Sequence, residues 1–250
     1  MLPQETKETF EVILANRKFL YTLFYKTFGR EPDAAYLDVL GNEAVSDAFT
    51  LLSQESEDTM SKAVAFAVAA YNSGKDSSYL HDLRHEYMRM FIGPEKLVAP
   101  PWESVYRSKE GLLFQESTLT VREIYRKEGY LPEGYPKVPD DSLALELNFM
   151  CLMAARSLEA LQNDQAEELM RTLAVQESFI RVHLLYFVPK LLERMETSAF
   201  RLFYPQMTKI LIAFLELDLE LIQDMMKAEV VRLPLSSYPG QVQGQFAGMQ

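Results

Sequence analysis

Few residues in this chain have the side chains that catalysis or metal binding requires. The 250 residues include three histidines and one cysteine. The sequence contains no HExxH, CxxC or GxSxG motif and no glycine-rich phosphate loop. The stretch most similar to a phosphate loop, SGKD at residues 73–76, has Ala69 at the position of the earlier glycine and Asp76 in place of the Ser/Thr that follows lysine. The sequence therefore predicts a protein that is not an enzyme.

His81 and His85 stand one helical turn apart, a spacing that places both rings on one face of a helix. They could share a metal ion, but no third ligand is evident. Cys151 lies in the apolar run NFMCLMAA without a basic neighbour, so we interpret it as a packing residue and not as a nucleophile. A single cysteine cannot form an intramolecular disulfide and suits a reducing compartment. We expect no metal and no cofactor.

The charge balance disfavours nucleic acid as a ligand. With 25 Lys and Arg against 36 Asp and Glu, the net charge is -11, which repels phosphate backbones and favours a cationic partner. The alternative is that this charge only keeps the protein in solution.

The sequence predicts no membrane span and a cytoplasmic location. The most membrane-like stretch, residues 210–226, contains Glu216, Asp218, Glu220 and Asp224, and carboxylates at this spacing prevent a stable span. The N-terminal MLPQETKETFEVI has no cluster of basic residues before its apolar positions, so it resembles neither a secretory signal nor a transit peptide.

Apolar residues recur at helical spacing along most of the chain, and no segment alternates with the period of a β-strand. The predicted helices cover residues 10–28, 33–40, 42–52, 55–72, 77–92, 116–127, 142–163, 165–187 and 205–227. Pro189 is expected to end the eighth of these helices, and residues 95–114, which contain two adjacent prolines, are expected to form a loop. The predicted fold class is all-α, a helical bundle.

Proline and glycine are concentrated in GYLPEGYPKVPDD, residues 129–141, which we interpret as a hinge or linker. It separates an N-terminal helical part, residues 1–128, from a C-terminal helical part, residues 142–232. The tail, residues 233–250, is rich in Gly, Gln and Pro and is predicted to be flexible. The chain is then one large bundle or two helical subdomains, and the hinge would allow a domain-swapped dimer as well as a monomer.

Three sequence blocks follow one another in the central third of the chain: EYMRMFIGP (86–94), APPWESVY (99–106) and PDDSLALELNFM (139–150). Together they resemble the signature blocks of the TorD/DmsD/NarJ family of redox-enzyme maturation chaperones. The resemblance implies an all-helical cytoplasmic protein with a TorD-like bundle. It also implies that the protein binds the twin-arginine signal peptide and apo-form of a molybdopterin oxidoreductase and assists cofactor insertion and assembly before export.

The resemblance further implies which residues bind the signal peptide. They come from all three blocks: Tyr87, Met90, Phe91, Gly93, Pro94, Pro101, Trp102, Glu103, Ser104, Asp141 and Ser142. Many family members have histidine where this chain has Ser142, so a role that needs an imidazole is not supported at this position. Ser142 is instead predicted to cap the helix that follows it, with Glu146 one turn further in.

The composition is compatible with this site. A twin-arginine signal has a cationic end followed by an apolar stretch, so its receptor needs carboxylates beside an aromatic or methionine-lined groove. The chain contains 12 Met, 15 Phe and 13 Tyr. We expect Trp102 to contact the apolar part of the peptide, and Asp141 and Glu103 to face its cationic end. The alternatives are that Met90, Phe91 and Trp102 belong to the core, and that Asp141 only caps the helix that follows it.

Two other functions fit the same features. One is an assembly subunit that stays bound to the mature redox enzyme, which requires an extensive apolar face. The other is a helical protein that binds a small molecule or nucleotide, for which the sequence offers no phosphate loop and no basic pocket. A helix-turn-helix regulator is disfavoured because no basic recognition helix is present.

Overall fold

The structure is a computed structural model that describes residues 3–53, 59–94, 96–108, 113, 116–132 and 139–230. Residues 133–138 of the predicted hinge and the whole predicted tail, 233–250, lie outside this range. The described residues form helices and no β-strand, and their β-structure is an isolated antiparallel bridge between Trp102 and Ser142. The predicted all-α fold class is thereby confirmed.

The N-terminal helices form because apolar residues recur every three to four positions and polar residues cap the helix starts. The side chains of Asp33, Asn42 and Asp76 accept hydrogen bonds from backbone N–H groups in the first turns of three helices. The segments are α1 (Gln4–Gly29), α2 (Ala34–Leu40), α3 (Glu43–Thr50), α4 (Thr59–Ser73), α5 (Ser77–Tyr87) and the π-helical turn π1 (Met88–Ile92). They lie where the first five helices were predicted.

The rest of the described chain is also helical. Its segments are α6 (Glu103–Arg107), α7 (Glu116–Lys127), α8 (Leu143–Gln162), α9 (Ala166–Phe179), the π-helical turn π2 (Ile180–Leu184), α10 (Leu185–Glu196) and α11 (Tyr204–Val230). Helices α7, α8 and α11 agree with the predicted segments. Two local predictions for this part of the chain are wrong.

Pro189 does not end a helix. Segments α9, π2 and α10 follow one another without a break, and α10 contains Pro189 and continues to Glu196. Proline removes the hydrogen bond to the carbonyl four residues earlier, which here belongs to Leu185, the first residue of α10. Leu185 lies directly after π2, in which the hydrogen-bond register has already changed. The missing bond therefore interrupts no regular α-helical stretch, and the helix continues past Pro189.

The short helix α6 lies in the region that was predicted to be a loop. It contains five residues, too few for a helical repeat of apolar positions to show in the sequence. Pro100 and Pro101 precede it, and the residue directly before the helix, Trp102, has extended backbone. Its first turn is capped by a residue that is distant in sequence, as described below, so local pattern does not reveal it.

Helix α1 lies antiparallel against α8. Near one end of the pair, a Cβ atom placed on Gly29 would lie 3.2 Å from the Cβ of Ala144, so the two backbones approach closely there. Near the other end, Lys7 forms an ion pair of 2.8 Å with Asp164. This contact joins the predicted N-terminal and C-terminal parts, and the division of the chain at the hinge stays a prediction.

A network of buried polar groups connects α1 with α9 and α11. Arg17 and Asp218 are fully buried and form an ion pair, and Tyr21 donates to Asp218 Oδ2 at 2.6 Å. Arg17 also donates to Gln176 Oε1 at 2.8 Å. Removal of one partner from such a pair leaves a buried charge, at a cost of about 3 to 5 kcal/mol. The network therefore holds the three helices in one relative position.

Helix α11 contains the most membrane-like stretch of the sequence. Its residues Leu211, Phe214 and Ile222 are fully buried in the core. None of the described helices is long and apolar enough to cross a membrane.

Candidate functional site

The second and third sequence blocks lie side by side. The N–H of Glu103 donates to the carbonyl of Asp141 at 2.9 Å, and the N–H of Leu143 donates to the carbonyl of Pro101 at 2.8 Å. These two bonds lie on either side of the antiparallel bridge between Trp102 and Ser142. The start of α6 and the start of α8 therefore meet at this bridge.

Both helix starts at the bridge are capped. Ser142 Oγ accepts from the N–H of Leu145 at the start of α8, which confirms the predicted cap. Asp141 Oδ2 accepts from the N–H of Ser104, at 2.7 Å, at the start of α6. The alternative that Asp141 caps the helix following it is therefore wrong. The bridge places Asp141 opposite Glu103, so its carboxylate reaches the first turn of α6 instead.

Three carboxylates of the described residues, those of Glu103, Asp141 and Glu146, are fully buried near this bridge. Burial raises the pKa of Glu146 well above its ordinary value, the charges of Glu103 and Asp141 raise it further, and Arg107 opposes them. Neither Glu146 oxygen has a hydrogen-bond partner among the described residues. Burial also raises the pKa of Asp141, against the opposing effect of hydrogen bonds from Ser104. Burial without a hydrogen-bond partner among the described residues therefore favours the neutral form of Glu146.

Glu103 bonds to side chains on two elements. Its Oε1 accepts from Nε of Arg107, and its Oε2 lies 2.9 Å from Nδ1 of His183. Arg107 Nη2 donates to the carbonyl of Val182, and Arg107 Cζ lies 3.8 Å from the centroid of the Tyr186 ring. The carboxylate of Glu103, the carbonyl of Val182 and the ring of Tyr186 form what we call the guanidinium cradle. It ties α6 to π2 and α10.

A cavity of about 430 Å³ opens beside Arg107, between α6, α7 and π2. Its wall is formed by Arg107, Ser108, Glu116, Ser117, Thr120, Val182 and His183. Ser117 is 9% exposed, and its Oγ has no hydrogen-bond partner among the described residues. A buried hydroxyl without a partner is unfavourable, so this wall is suited to a ligand that carries hydrogen-bonding groups.

The first block lies mainly in the core. Tyr87, Met90 and Phe91 are 4%, 0% and 3% exposed, and the ring centroids of Phe91 and Tyr204 are 5.1 Å apart. Glu86 accepts the N–H groups of residues 202 and 203, each at 2.9 Å, just before α11 begins. The block therefore holds π1 against α11. Met90 and Phe91 lie in the core, as in the alternative stated for these two residues.

Gly93 and Pro94, at the end of the first block, line a second cavity of about 230 Å³. Its other lining residues are His85, Met88, Arg89, Lys96 and Val98. Gly93 has φ 98° and ψ -168°, a conformation that is essentially restricted to glycine. Its N–H donates to the carbonyl of Met88 at 2.9 Å and closes π1.

The histidine pair considered as a metal site lies on the exposed side of α5. His81 and His85 are both exposed, and the His85 ring lies 5.5 Å from the ring of Phe200. Within the described ranges, no group of three or more His, Cys, Asp or Glu side chains is placed to hold a metal ion.

Arg107, His183 and Tyr186 were not predicted from the sequence. Glu103 and Arg107 are four positions apart, a spacing at which opposite charges meet on a helix, but this signal is readable only if α6 is recognised. His183 lies 80 positions from Glu103, and no local pattern relates the two.

Several known proteins are similar to this chain. The chaperone protein TorD of Vibrio atlanticus (strain LGP32) is 28% identical over 204 residues, which cover 81% of this chain and 92% of that protein. The chaperone protein TorD of Vibrio parahaemolyticus serotype O3:K6 is 27% identical over 203 residues, with 81% and 92% covered. A shorter match, 32% over 109 residues, is to the Tat proofreading chaperone DmsD of Salmonella typhi and covers 44% of this chain and 50% of that protein.

The sequence profile of the nitrate reductase delta subunit family matches residues 52–193. This range is more than half of the chain and includes all three sequence blocks, the bridge and the guanidinium cradle. The chain therefore belongs to the nitrate reductase delta subunit family, the TorD/DmsD/NarJ family whose signature blocks its sequence resembles.

Proposed function

We propose that the protein is a cytoplasmic chaperone for a molybdopterin oxidoreductase. In this proposal it binds the twin-arginine signal peptide of the apo-enzyme and assists cofactor insertion and assembly before export. Relatives of the chain carry the names chaperone protein TorD and Tat proofreading chaperone DmsD. The protein would act by binding and not by catalysis.

The observation that supports this function most directly is the junction of the second and third blocks. Trp102 and Ser142 are partly exposed and paired, and they lie next to the buried carboxylates of Glu103 and Asp141. An aromatic side chain beside carboxylates is the surface that a peptide with a cationic end and an apolar stretch requires.

The eleven predicted site residues divide by exposure. The partly or fully exposed ones are Gly93, Pro94, Pro101, Trp102 and Ser142. The buried ones are Tyr87, Met90, Phe91, Glu103, Ser104 and Asp141. We assign direct contact with the peptide to the exposed group, since its atoms are accessible without rearrangement. The buried group would position π1 and α6, and Glu103 would be reached only through a change in its partners.

The second cavity suits the apolar part of the peptide. Met88, Pro94 and Val98 supply apolar wall, and a thioether adapts to side chains of different shape. Arg89 and Lys96 border the same cavity and would repel the cationic end of the peptide. The two ends of the signal would therefore be directed to different places on the protein.

Peptide titration tests the proposal. As the sole tryptophan, Trp102 reports binding by its own fluorescence. We expect a signal peptide with both arginines to shift the Trp102 emission and to bind more tightly than its twin-lysine version or a scrambled peptide. Equal binding of all three, with no change in emission, would exclude a signal-peptide site. If the twin-arginine peptide binds selectively, a pull-down from the source cell identifies the molybdoenzyme precursor that co-purifies with the protein.

The family name itself raises the second candidate, a subunit that stays bound to the mature enzyme. Such a subunit depends on a large apolar interface for stability. Purification of the protein alone as a stable monomer or dimer favours the chaperone, whereas aggregation in the absence of a redox enzyme favours the subunit.

A further inference from the structure

The guanidinium cradle has the composition of a binding site, yet a side chain of the protein itself occupies it. A carboxylate, a backbone carbonyl and an aromatic face contact Arg107 at once. The Arg107 side chain is 29% exposed, whereas that of Glu103 is 0% exposed. The cation therefore reaches the surface of the protein while its carboxylate partner does not.

We propose that Arg107 is a resident cation that occupies, in the free protein, the site for one guanidinium group of the signal peptide. On binding, an arginine of the peptide takes over the contacts with Glu103, Val182 and Tyr186, and Arg107 turns outward. This inference rests on the proposed function and locates the place where the twin-arginine end binds.

The cavity beside Arg107 provides the space for this exchange. Its volume of about 430 Å³ accommodates an arginine side chain and part of its backbone. Ser117 and Thr120 on α7 line it, and the buried Ser117 Oγ has no partner among the described residues. An incoming peptide group that donates to this hydroxyl, or accepts from it, would satisfy it. This hydroxyl, which has no partner in the part of the chain that the structure describes, therefore supports a ligand at this wall independently of the cradle.

The exchange preserves the charge balance of the buried site. Glu103 keeps a guanidinium partner on Oε1 and His183 on Oε2, so its carboxylate is not left unpaired when one cation replaces another. Lys190 Nζ also lies 3.4 Å from the centroid of Tyr186 and stays in place. A lysine of the peptide lacks the planar fork and stacks less well, so the cradle discriminates arginine from lysine.

Removal of the resident cation tests the inference. Arg107→Gln should bind the twin-arginine peptide about tenfold more tightly than wild type, because the peptide no longer competes for a charge-assisted hydrogen bond. The matched control is Arg181→Gln, which removes the same charge from π2, where Arg181 forms a partly exposed ion pair with Glu177. That control should change affinity by less than about twofold. Adding Glu103→Gln to Arg107→Gln should abolish the gain.

Nuclear magnetic resonance of the wild-type protein gives a second readout. The Nε–H signal of Arg107, bonded to a buried carboxylate, should be shifted in the free protein and should move on addition of the twin-arginine peptide but not of the twin-lysine peptide. This readout needs no variant, and it decides the question even if Arg107→Gln does not fold.

The two proposals fail in different ways. If the peptide binds wild type but Arg107→Gln binds it no more tightly than Arg181→Gln, Arg107 is only a structural link between α6 and π2. An unchanged Arg107 Nε–H signal in the complex leads to the same conclusion. In both cases the inference is overturned and the signal-peptide function stands. If neither wild type nor Arg107→Gln binds the peptide, both proposals are wrong.

Discussion

Among single residues, Trp102 combines partial exposure with a position at the start of α6 and at the bridge to Ser142. We expect Trp102→Ala to weaken peptide binding by roughly 2 kcal/mol or more, because a large apolar contact area is lost. Calorimetric titration at low and high salt should show the same loss, since apolar contacts are not screened. Trp102→Phe, which keeps much of the apolar area, is the control. A loss that disappears at high salt would contradict an apolar contact.

Asp141 combines a structural contact with the proposed electrostatic one. Asp141 is fully buried, so its charge would act on the peptide from within the protein. We expect Asp141→Asn to reduce peptide affinity by about 1 kcal/mol with little dependence on salt, because buried charges are only weakly screened. Titrations at several salt concentrations, with thermal unfolding of the same samples, measure both effects. Lower stability with unchanged affinity at every salt concentration would show that Asp141 acts only through its bond to Ser104.

Glu146 should make stability depend on pH. Its pKa is raised in the folded protein from the ordinary 4.5. Folding favours the neutral form, so the contribution of Glu146 to stability is most favourable below about pH 4.5 and is lost as pH rises from there through the raised pKa. Glu146→Gln keeps the shape of the neutral side chain and cannot ionise. It should therefore be more stable than wild type at neutral pH, by about 1.4 kcal/mol for each pH unit by which folding raises the pKa of Glu146.

Urea denaturation at several pH values measures this difference. The gain from Glu146→Gln should be absent at pH values below the ordinary pKa of a glutamate. Glu159→Gln, an exposed position on the same helix, is the matched control and should show no such gain. A Glu146→Gln protein that is less stable than wild type at neutral pH would indicate that the carboxylate is charged and paired.

At the scale of elements, both π-helical turns border cavities. Segment π1 contributes Met88 and Arg89 to the second cavity, and π2 contributes Val182 and His183 to the cavity beside α6. A π-helical turn adds a residue to the helix and is frequent at functional sites. In π2 it places His183 at Glu103 while the carbonyl of Val182 accepts from Arg107.

The end of π1 depends on Gly93. We expect Gly93→Asn to destabilise the protein by about 1 to 3 kcal/mol, because its backbone conformation is essentially restricted to glycine. Gly129 has φ 65°, in the left-handed region that asparagine tolerates, and a Cβ placed there would have no atom of the described residues within 4 Å. Gly129→Asn should therefore cost less. Comparison of the two variants by urea denaturation checks the prediction, and equal losses would refute it.

At the scale of the whole molecule, the tail is expected to be dispensable. Residues 236–250 are rich in Gly and Gln and lack a repeated apolar face, so we expect their deletion to leave stability and client binding almost unchanged. Thermal unfolding and peptide titration of the truncated and full-length proteins measure this. A large fall in melting temperature would show that the tail packs on the bundle.

The sequence by itself determined the all-α class, most helix positions and the family blocks. Helical periodicity and caps such as Ser142 act within a few residues, so they are readable along the chain. The same local reasoning was wrong at Pro189 and missed α6. In both places the outcome depended on hydrogen bonds that local pattern does not show: the register change at π2, and the cap from Asp141.

Only the tertiary structure decided which chemical groups meet. The blocks place Glu103 and Asp141 in the same region of the sequence, but their burial beside Glu146 follows from the bridge between α6 and α8. The contacts of Glu103 with His183 and of Arg107 with Tyr186 join residues that are about eighty positions apart. Such contacts arise from the packing of whole helices, because the core must fill its volume and satisfy its buried polar groups at the same time.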